Sequence, residues 1–146
     1  FHVERSILID ASATDVHAFV GDLEKWEAWT PWVEADPTIV IEYGPITSGV
    51  GASQSWTGDS GSGELTFTHS DVSTGVGYDM SFDEGKYPGT GELTDAADGT
   101  GTTVTWVMDG ESNGVVGRWF GLFMGPMVGP MFDQGLEKLK SVVEAD

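Results

Sequence analysis

The sequence predicts an α+β domain, and three observations support that prediction. Between residues 37 and 111, apolar and polar residues alternate at the period of a β-strand, in short runs that glycine-rich turns separate. Near the C-terminus, apolar residues recur at helical spacing, and two helix-capping signals follow the first predicted strand. A strand, two short helices, six antiparallel strands and a long helix, in this order, indicate the α+β class.

The first 30 residues are predicted to form a strand and two short helices. Residues 1–10 end in the alternation that is typical of a strand. Ser12 stands three residues before Asp15, a capping-box-like arrangement that predicts the start of a helix. Asp22 is suited to cap a second, tryptophan-rich helix, which Pro31 would end because proline cannot continue a helix.

Six strands are predicted after the second helix, each from a run of period-two alternation. The runs are Thr38–Tyr43, Val50–Thr57, Glu64–Ser70, Val76–Phe82, Thr90–Thr94 and Thr102–Asp109. Turn clusters at Gly58–Gly63 and Ala96–Gly101 lie between strands at the spacing of antiparallel hairpins. The strands are therefore expected to follow one another as antiparallel neighbours.

The C-terminal segment is predicted to be a helix with an interrupted beginning. Residues 134–144 carry apolar side chains at helical spacing. Upstream, glycine recurs every four residues from Gly117 to Gly129, and two prolines interrupt the segment. Each interior glycine costs about 1 kcal/mol and each proline about 3 kcal/mol relative to alanine. We therefore expect a kink or a break within Gly125–Pro130.

Charge and composition exclude several classes of partner and site. Six basic residues against 24 acidic ones give a net charge of −18, which repels phosphate backbones and makes nucleic acid an unsuitable partner. Because the chain has no cysteine, disulfides, thiolate zinc sites and cysteine nucleophiles are excluded. The acidic residues are spread over every segment, which we interpret as halophilic adaptation, a surface solvated in high salt, rather than as a binding field.

Length and hydropathy bound the domain organisation. A chain of 146 residues predicts a single domain over residues 1–146. A domain of this size buries a hydrophobic core large enough to be stable without disulfide bonds or a structural metal. The longest uncharged apolar stretch, Trp119–Phe132, is too short and too rich in glycine and proline to span a bilayer. The domain is therefore expected to be soluble, as a monomer or a weak dimer.

Five short strings occur in an order and spacing that are specific for one fold family and cover essentially the whole chain. They are Val3–Ala11, Trp29–Trp32, Gly49–Gly51 leading to Trp56, Gly101–Trp106, and Phe132–Lys140. In this arrangement the chain resembles the START-like (SRPBCC) superfamily, specifically its polyketide cyclase/dehydrase and lipid-transport branch. The strings are specific for the fold and weak for any one activity.

The resemblance implies a helix-grip fold and a ligand cavity. In that fold a seven-stranded curved antiparallel sheet wraps around the long C-terminal helix, and the two short helices close one end of an apolar cavity between them. Many relatives bind lipids, sterols or polyketides, and some cyclise polyketide chains. Relatives of this branch often begin with a hydrophobic membrane anchor, so the domain is expected either in the cytoplasm or tethered to a membrane by a segment ahead of Phe1.

Strand parity and helix spacing select the residues that would line such a cavity. The candidate ligand-binding residues are Trp56, Phe67, His69, Tyr78, Met80, Phe82, Trp106, Met108, Phe120, Phe123, Met124, Met127 and Met131. All five methionines of the chain belong to this set, and methionine adapts to irregular apolar shapes. The alternative is that the same side chains form an ordinary solid core.

Two members of that set are weak candidates for catalysis. His69 shares the parity of Phe67, which would turn its imidazole toward the cavity; the alternative is a ring in water at the end of the strand. Tyr78 could orient a ligand or move a proton. Neither a complete catalytic constellation nor a metal-ligand spacing is recognised, so no metal and no cofactor are expected.

The sequence thus predicts a binding protein for a hydrophobic small molecule, lipid- or polyketide-like. One alternative is a polyketide cyclase or aromatase that uses the same cavity, with His69 or Tyr78 as the proton-moving group. A second alternative, from another class, is an interaction module whose acidic exterior holds a basic protein partner.

Overall fold

The computed structural model describes residues 2–30, 32, 37–59, 61–82, 87–110 and 130–145, with the backbone alone at 82 and 87. Its elements are β1 (His2–Ile9), α1 (Ala13–Val20), a 3-10 helix (Leu23–Ala28), β2 (Val40–Tyr43), β3 (Ser53–Gly58), β4 (Gly61–Asp71), β5 (Gly75–Phe82), β6 (Tyr87–Asp98) and β7 (Gly101–Gly110). Residues 130–144 are helical and form α2.

The seven strands form one antiparallel sheet in the order β1-β7-β6-β5-β4-β3-β2. Strands that follow one another from β2 to β7 are neighbours, and β1 pairs with β7, so the first and second strands are the two edges. The predicted fold class, a seven-stranded antiparallel sheet with two short helices after the first strand and a helix at the C-terminus, is confirmed.

The helix-capping residues act as the sequence predicts. The Ser12 side chain accepts a hydrogen bond from the Asp15 amide at 3.2 Å, and the Asp22 side chain accepts one from the Glu24 amide at 3.0 Å. The second helix is a 3-10 helix, whose last turn closes by a bond from the Trp29 amide to the Trp26 carbonyl at 3.1 Å.

Several strand boundaries differ from the sequence prediction, and the differences in β6 and β3 have identifiable reasons. β6 runs from Tyr87 to Asp98, well beyond the predicted Thr90–Thr94, because β5 and β7 flank it on both sides and supply backbone partners along its length. β3 begins only at Ser53, because Gly49 and Gly51 have φ values of 81° and 91°, a turn conformation that glycine tolerates.

One face of the sheet, here called the inner face, packs against α1, the 3-10 helix and α2. From α2, the buried side chains are those of Phe132, Leu136, Leu139 and Val143, at the predicted helical spacing. The same helix is tied to the β1 edge, where the Lys140 Nζ donates to the Leu8 carbonyl at 3.2 Å. The glycine stripe from 117 to 129, with the kink expected next to it, lies outside the described residues.

Candidate functional site

The register of the sheet decides which side chains share the inner face, since directly paired residues point to the same side. Phe67 pairs with Tyr78, and the neighbouring pair on the same face is Leu65 with Met80. By this register, the predicted ligand-binding residues on the inner face are Trp56, Phe67, Tyr78, Met80, Trp106 and Met108. They divide into a densely packed group and a half-buried group.

The packed group belongs to an aromatic cluster at the middle of the inner face. This cluster consists of Trp26, Trp29, Phe67, Tyr78, Trp106 and Phe132. The Trp26 ring lies 5.8 Å from Phe67 and 5.7 Å from Tyr78, measured between centroids. From α2, the Phe132 ring stacks on Trp106 at 3.8 Å and 6°. Aromatic rings therefore fill the space between the sheet and the helices here.

Tyr78 is held inside this cluster by its hydroxyl. The Trp106 indole Nε1–H donates to the Tyr78 oxygen at 2.9 Å, and both side chains are buried. Burial raises the pKa of Tyr78, since the phenolate would lose its hydration, so the hydroxyl keeps its proton at neutral pH. The tyrosine ring also covers Gly91 of β6, where any side chain would collide with it.

The half-buried group lies on the side of the aromatic cluster away from α1. Trp56 and Met80 are on the inner face there, and both are partly accessible while packing against the core. The Trp56 ring lies over Gly63, which leaves no room for a side chain at that position. Trp32 and Met131 are half-buried as well, and Trp32 contacts the Phe132 ring at 6.3 Å. These apolar side chains of the inner face are thus only partly buried.

His69 does not face the inner side, so its predicted orientation is wrong. A β-bulge between Phe67 and His69 adds one residue to β4, and His69 therefore pairs with Gly77 rather than with an inward-facing residue. The ring is exposed on the outer face, where its Nε2 hydrogen-bonds Thr74 Oγ1 at 2.9 Å. Ser70 takes the inward position and contacts the His17 ring at 3.4 Å.

Several predicted site residues cannot be placed. Phe120, Phe123, Met124 and Met127 lie outside the described residues, and of Phe82 only the backbone is described. The cavity they were expected to line with α2 is therefore still a prediction.

Two inner-face features were not predicted. Trp26 of the 3-10 helix and Trp29, its C-cap residue, supply much of the aromatic cluster. The signal in the sequence was the recurrence of apolar residues every three positions from Leu23. The second feature is Asp95 of β6, a residue with 7% exposure whose carboxyl oxygens have no partner among the described residues. Burial raises the pKa of Asp95 to about 7. The period-two alternation predicted that this strand ends at Thr94, one residue before Asp95, whereas β6 continues to Asp98.

The described part of the chain holds neither a metal-ligand cluster nor a membrane-spanning helix. Within those residues, no group of three or more His, Asp or Glu side chains is arranged to hold a metal ion. Among the same residues, no helix combines the length and the apolar character that crossing a bilayer requires.

Comparison of the sequence with protein families gives a match over nearly the whole chain. The family described as polyketide cyclase / dehydrase and lipid transport matches residues 1–144. No curated protein shows significant sequence similarity to the chain.

Solved structures with the same fold are numerous and distant in sequence. Protein CV1439 from Chromobacterium violaceum is 15% identical with a TM-score of 0.69, over 99% of this chain and 98% of the other. The structure of Ara h 8.0201 is 13% identical with a TM-score of 0.64, over 100% and 99%. DynU16, described as a putative protein in the dynemicin biosynthetic locus, is 14% identical with a TM-score of 0.68. The match covers 98% of this chain and 47% of DynU16. At these identities the likeness shows the fold.

Proposed function

Because this chain belongs to the polyketide cyclase/dehydrase and lipid-transport family, we propose that it binds a hydrophobic small molecule between the inner face of its sheet and α2. The observation that carries the proposal is the half-buried apolar surface of Trp56 and Met80. Elsewhere the same face is closed by the aromatic cluster. Partly accessible apolar surface between a sheet and a helix is a common setting of a ligand pocket.

The ligand would lie beside the aromatic cluster, on its side away from α1. Trp26 and Trp29 occupy the space over Tyr78 and Trp106, so a ligand over these residues would have to displace packed rings. Trp56 and Met80 are only partly buried, so a ligand beside them would meet side chains that are not fully enclosed by the described residues. The partly accessible indole and thioether suit a ligand with a flat or irregular apolar shape.

A binding role is better supported than proton transfer by either predicted catalytic residue. Tyr78 is buried beneath the Trp26 ring, and the bulge in β4 turns His69 to the outer face. These placements favour a binding protein over the cyclase alternative. Lipid-like and polyketide-like ligands are both compatible with the surface.

Binding of Nile red, a neutral apolar dye whose emission rises and shifts to the blue in apolar surroundings, tests the proposal. A neutral probe is required because a net charge of −18 repels anionic dyes. Met80→Ser should weaken binding about tenfold, since a methionine side chain contributes about 1.5–3 kcal/mol when fully buried. Native mass spectrometry of the purified protein would detect a natural ligand that co-purifies.

The matched control is Leu8→Ser, which removes an apolar side chain of similar size from β1, where it is 52% exposed. Its Nile red affinity should equal that of the unsubstituted protein. Equal loss in both variants, or affinity that Met80→Ser leaves unchanged, would contradict the proposal. Near-ultraviolet circular dichroism checks that both variants keep their tertiary packing.

A further inference from the structure

Gln54 of β3 is a polar residue on the inner face of the sheet. It pairs with Leu65 of β4, which pairs with Met80 of β5, so the three side chains point to the same side. Trp56 follows two residues later along β3 and shares that face. Gln54 therefore borders the half-buried surface of Trp56 and Met80, where the ligand is proposed to lie.

The Gln54 side chain is enclosed, and it has no hydrogen-bond partner among the described residues. The residue is 8% exposed. Tyr43, its neighbour on β2, donates its hydroxyl hydrogen to Glu27 at 3.1 Å instead. Within the described residues, full enclosure of an unpartnered side-chain oxygen or nitrogen occurs only at His17 and Asp95, so the Gln54 amide keeps some accessible surface. The amide is thus available to a partner that the described protein atoms do not supply.

An amide in this position is unfavourable for the fold alone. Burial removes water from the group, and no described protein group replaces the lost hydrogen bonds. A glutamine side chain offers one acceptor oxygen and two donor N–H groups. In ligand pockets, a small number of such polar groups within an apolar lining fix the orientation of the ligand. Gln54 has the chemistry and the placement for that role.

We propose that the Gln54 amide binds a neutral polar group at one end of the hydrophobic ligand, a group that accepts and donates hydrogen bonds as a hydroxyl or a carboxamide does. This inference rests on the proposed inner-face site and adds the class of its ligand. An ion of either sign would be buried against an uncharged amide, which is unfavourable. For a carboxylate, strands β2 to β5 carry no lysine or arginine, and the net charge of −18 repels anions.

The apolar part of the ligand would extend from Gln54 over Trp56 and Met80. Residues two apart on one strand are separated by about 7 Å, and residues two strands apart by about 10 Å. Leu65, which is buried, lies between Gln54 and Met80 and provides an apolar floor. An apolar body of about 7–10 Å, such as a phenylpropyl group, would therefore reach both side chains from a polar group bound at Gln54.

Two probes of similar shape, 3-phenyl-1-propanol and propylbenzene, test the proposal by displacing bound Nile red, with the dye affinity of each variant measured first. Gln54→Met keeps the length of the side chain and removes the amide. It should weaken binding of the alcohol about three- to tenfold, the effect of one hydrogen bond between neutral groups. Binding of the hydrocarbon should be unchanged or tighter. Comparing the two probes cancels the effect of the substitution on apolar contacts, because both probes make them.

Gln134→Met is the matched control, because it makes the same replacement at the other glutamine of the chain, at an exposed position of α2. It should leave the affinities for both probes unchanged. The urea midpoint of Gln54→Met should be unchanged or higher, since the amide has no described protein partner to lose. A lower midpoint would assign the amide a structural role and contradict the proposal.

The charge of the ligand is tested with 3-phenylpropanoate, which carries a carboxylate in place of the hydroxyl-bearing carbon. It should not displace Nile red at concentrations at which the alcohol does. Sodium chloride at about 1 M shortens the Debye length to about 3 Å, so that diffuse repulsion by the acidic surface does not decide the result.

A second measurement needs no substitution. The chain has two glutamines and one asparagine, so its proton–nitrogen NMR spectrum contains three pairs of side-chain amide signals. On titration with 3-phenyl-1-propanol, the Gln54 pair should shift to a saturating end point. The Gln134 pair should stay in place, because that residue lies on the exposed side of α2.

Three further results would overturn the proposal. They are equal weakening of both probes by Gln54→Met, displacement of the dye by 3-phenylpropanoate as readily as by the alcohol, and a Gln54 amide pair that does not move at saturating alcohol. Each of them leaves the inner-face site itself intact. That site is contradicted separately, by the absence of Nile red binding or by binding that Met80→Ser does not weaken.

Discussion

Asp95 places a carboxyl group on the inner face of β6, where the described residues give it no hydrogen-bond partner. A buried carboxylate without a partner is unfavourable, so the group stays protonated to a higher pH than usual. Its pKa is raised by burial from the ordinary value of 3.8 to about 7. The folded domain therefore holds a proton that the unfolded chain releases, and this couples stability to pH.

The resulting prediction concerns Asp95→Asn. In the unsubstituted protein, the proton on Asp95 contributes to the free energy of unfolding. This contribution is complete below about pH 4 and is lost as the pH rises through about 7. The free energy of unfolding changes by no more than about 1.4 kcal/mol per pH unit. Asparagine does not titrate, so the variant should gain stability relative to the unsubstituted protein over this range and keep a constant advantage above it. Urea unfolding between pH 4 and 9 measures the difference.

The control for this prediction is Asp98→Asn, which removes the same charge at an exposed position of the same strand. Its free energy of unfolding should run parallel to that of the unsubstituted protein as the pH changes. A pH-independent difference between Asp95→Asn and the unsubstituted protein would mean that an unseen partner, such as a buried water, satisfies the carboxylate.

At the scale of elements, α2 is attached to the sheet by two kinds of contact. Its inward side chains are buried in the core, Leu139 completely. Its other contacts run along the β1 edge, among them the ion pair of Arg5 with Asp133 at 3.3 Å and the hydrogen bond from Lys140 Nζ to the Leu8 carbonyl at 3.2 Å. Because exposed pairs of this kind contribute about 0–1 kcal/mol, apolar burial should dominate the attachment.

Comparing Leu139→Ala with Lys140→Ala tests this division. Leu139→Ala should lower the free energy of unfolding by about 2–5 kcal/mol, through lost burial and the cavity that remains. Lys140→Ala should cost about 1 kcal/mol or less, although it removes contacts to both Glu144 and the Leu8 carbonyl. Similar losses in the two variants would mean that the edge contacts, rather than the core, hold the helix.

At the scale of the whole molecule, the net charge of −18 acts against the compact state. The outer face is rich in serine, threonine and acidic side chains, and its few charge pairs include His2 with Asp109. Most acidic residues therefore lie in water and repel one another when the domain is folded. Screening by salt should relieve part of that repulsion.

The corresponding prediction is that the urea midpoint rises with sodium chloride and levels off toward about 1 M, where the Debye length is about 3 Å. A second titration with sodium sulfate at equal ionic strength separates charge screening from the exclusion of salt from the protein surface. If screening alone acts, the two salts raise the urea midpoint equally at low ionic strength. A midpoint that does not respond to sodium chloride would contradict the interpretation of the acidic surface as adaptation to high salt.

The local features of this domain could be predicted from the chain because each depends on neighbouring residues alone. Ser12 and Asp22 cap the helices that follow them, and the alternation of Leu65 with Phe67 or of Trp106 with Met108 assigns those side chains to the inner face. The apolar spacing of residues 134–144 predicts the buried side of α2. The caps depend on one side chain beside the start of a helix, and the buried faces follow from the repeat of the strand or the helix.

The tertiary structure decided where that period is interrupted or extended. The bulge after Phe67 turns His69 from the inner to the outer face, and pairing with β5 and β7 extends β6 far enough to bury Asp95. It also decided that Trp26 and Trp29 cover Tyr78 and Trp106, while Trp56 and Met80 stay only partly buried. These outcomes depend on residues that are distant in sequence. A local sequence pattern does not specify which strand or aromatic ring packs against it.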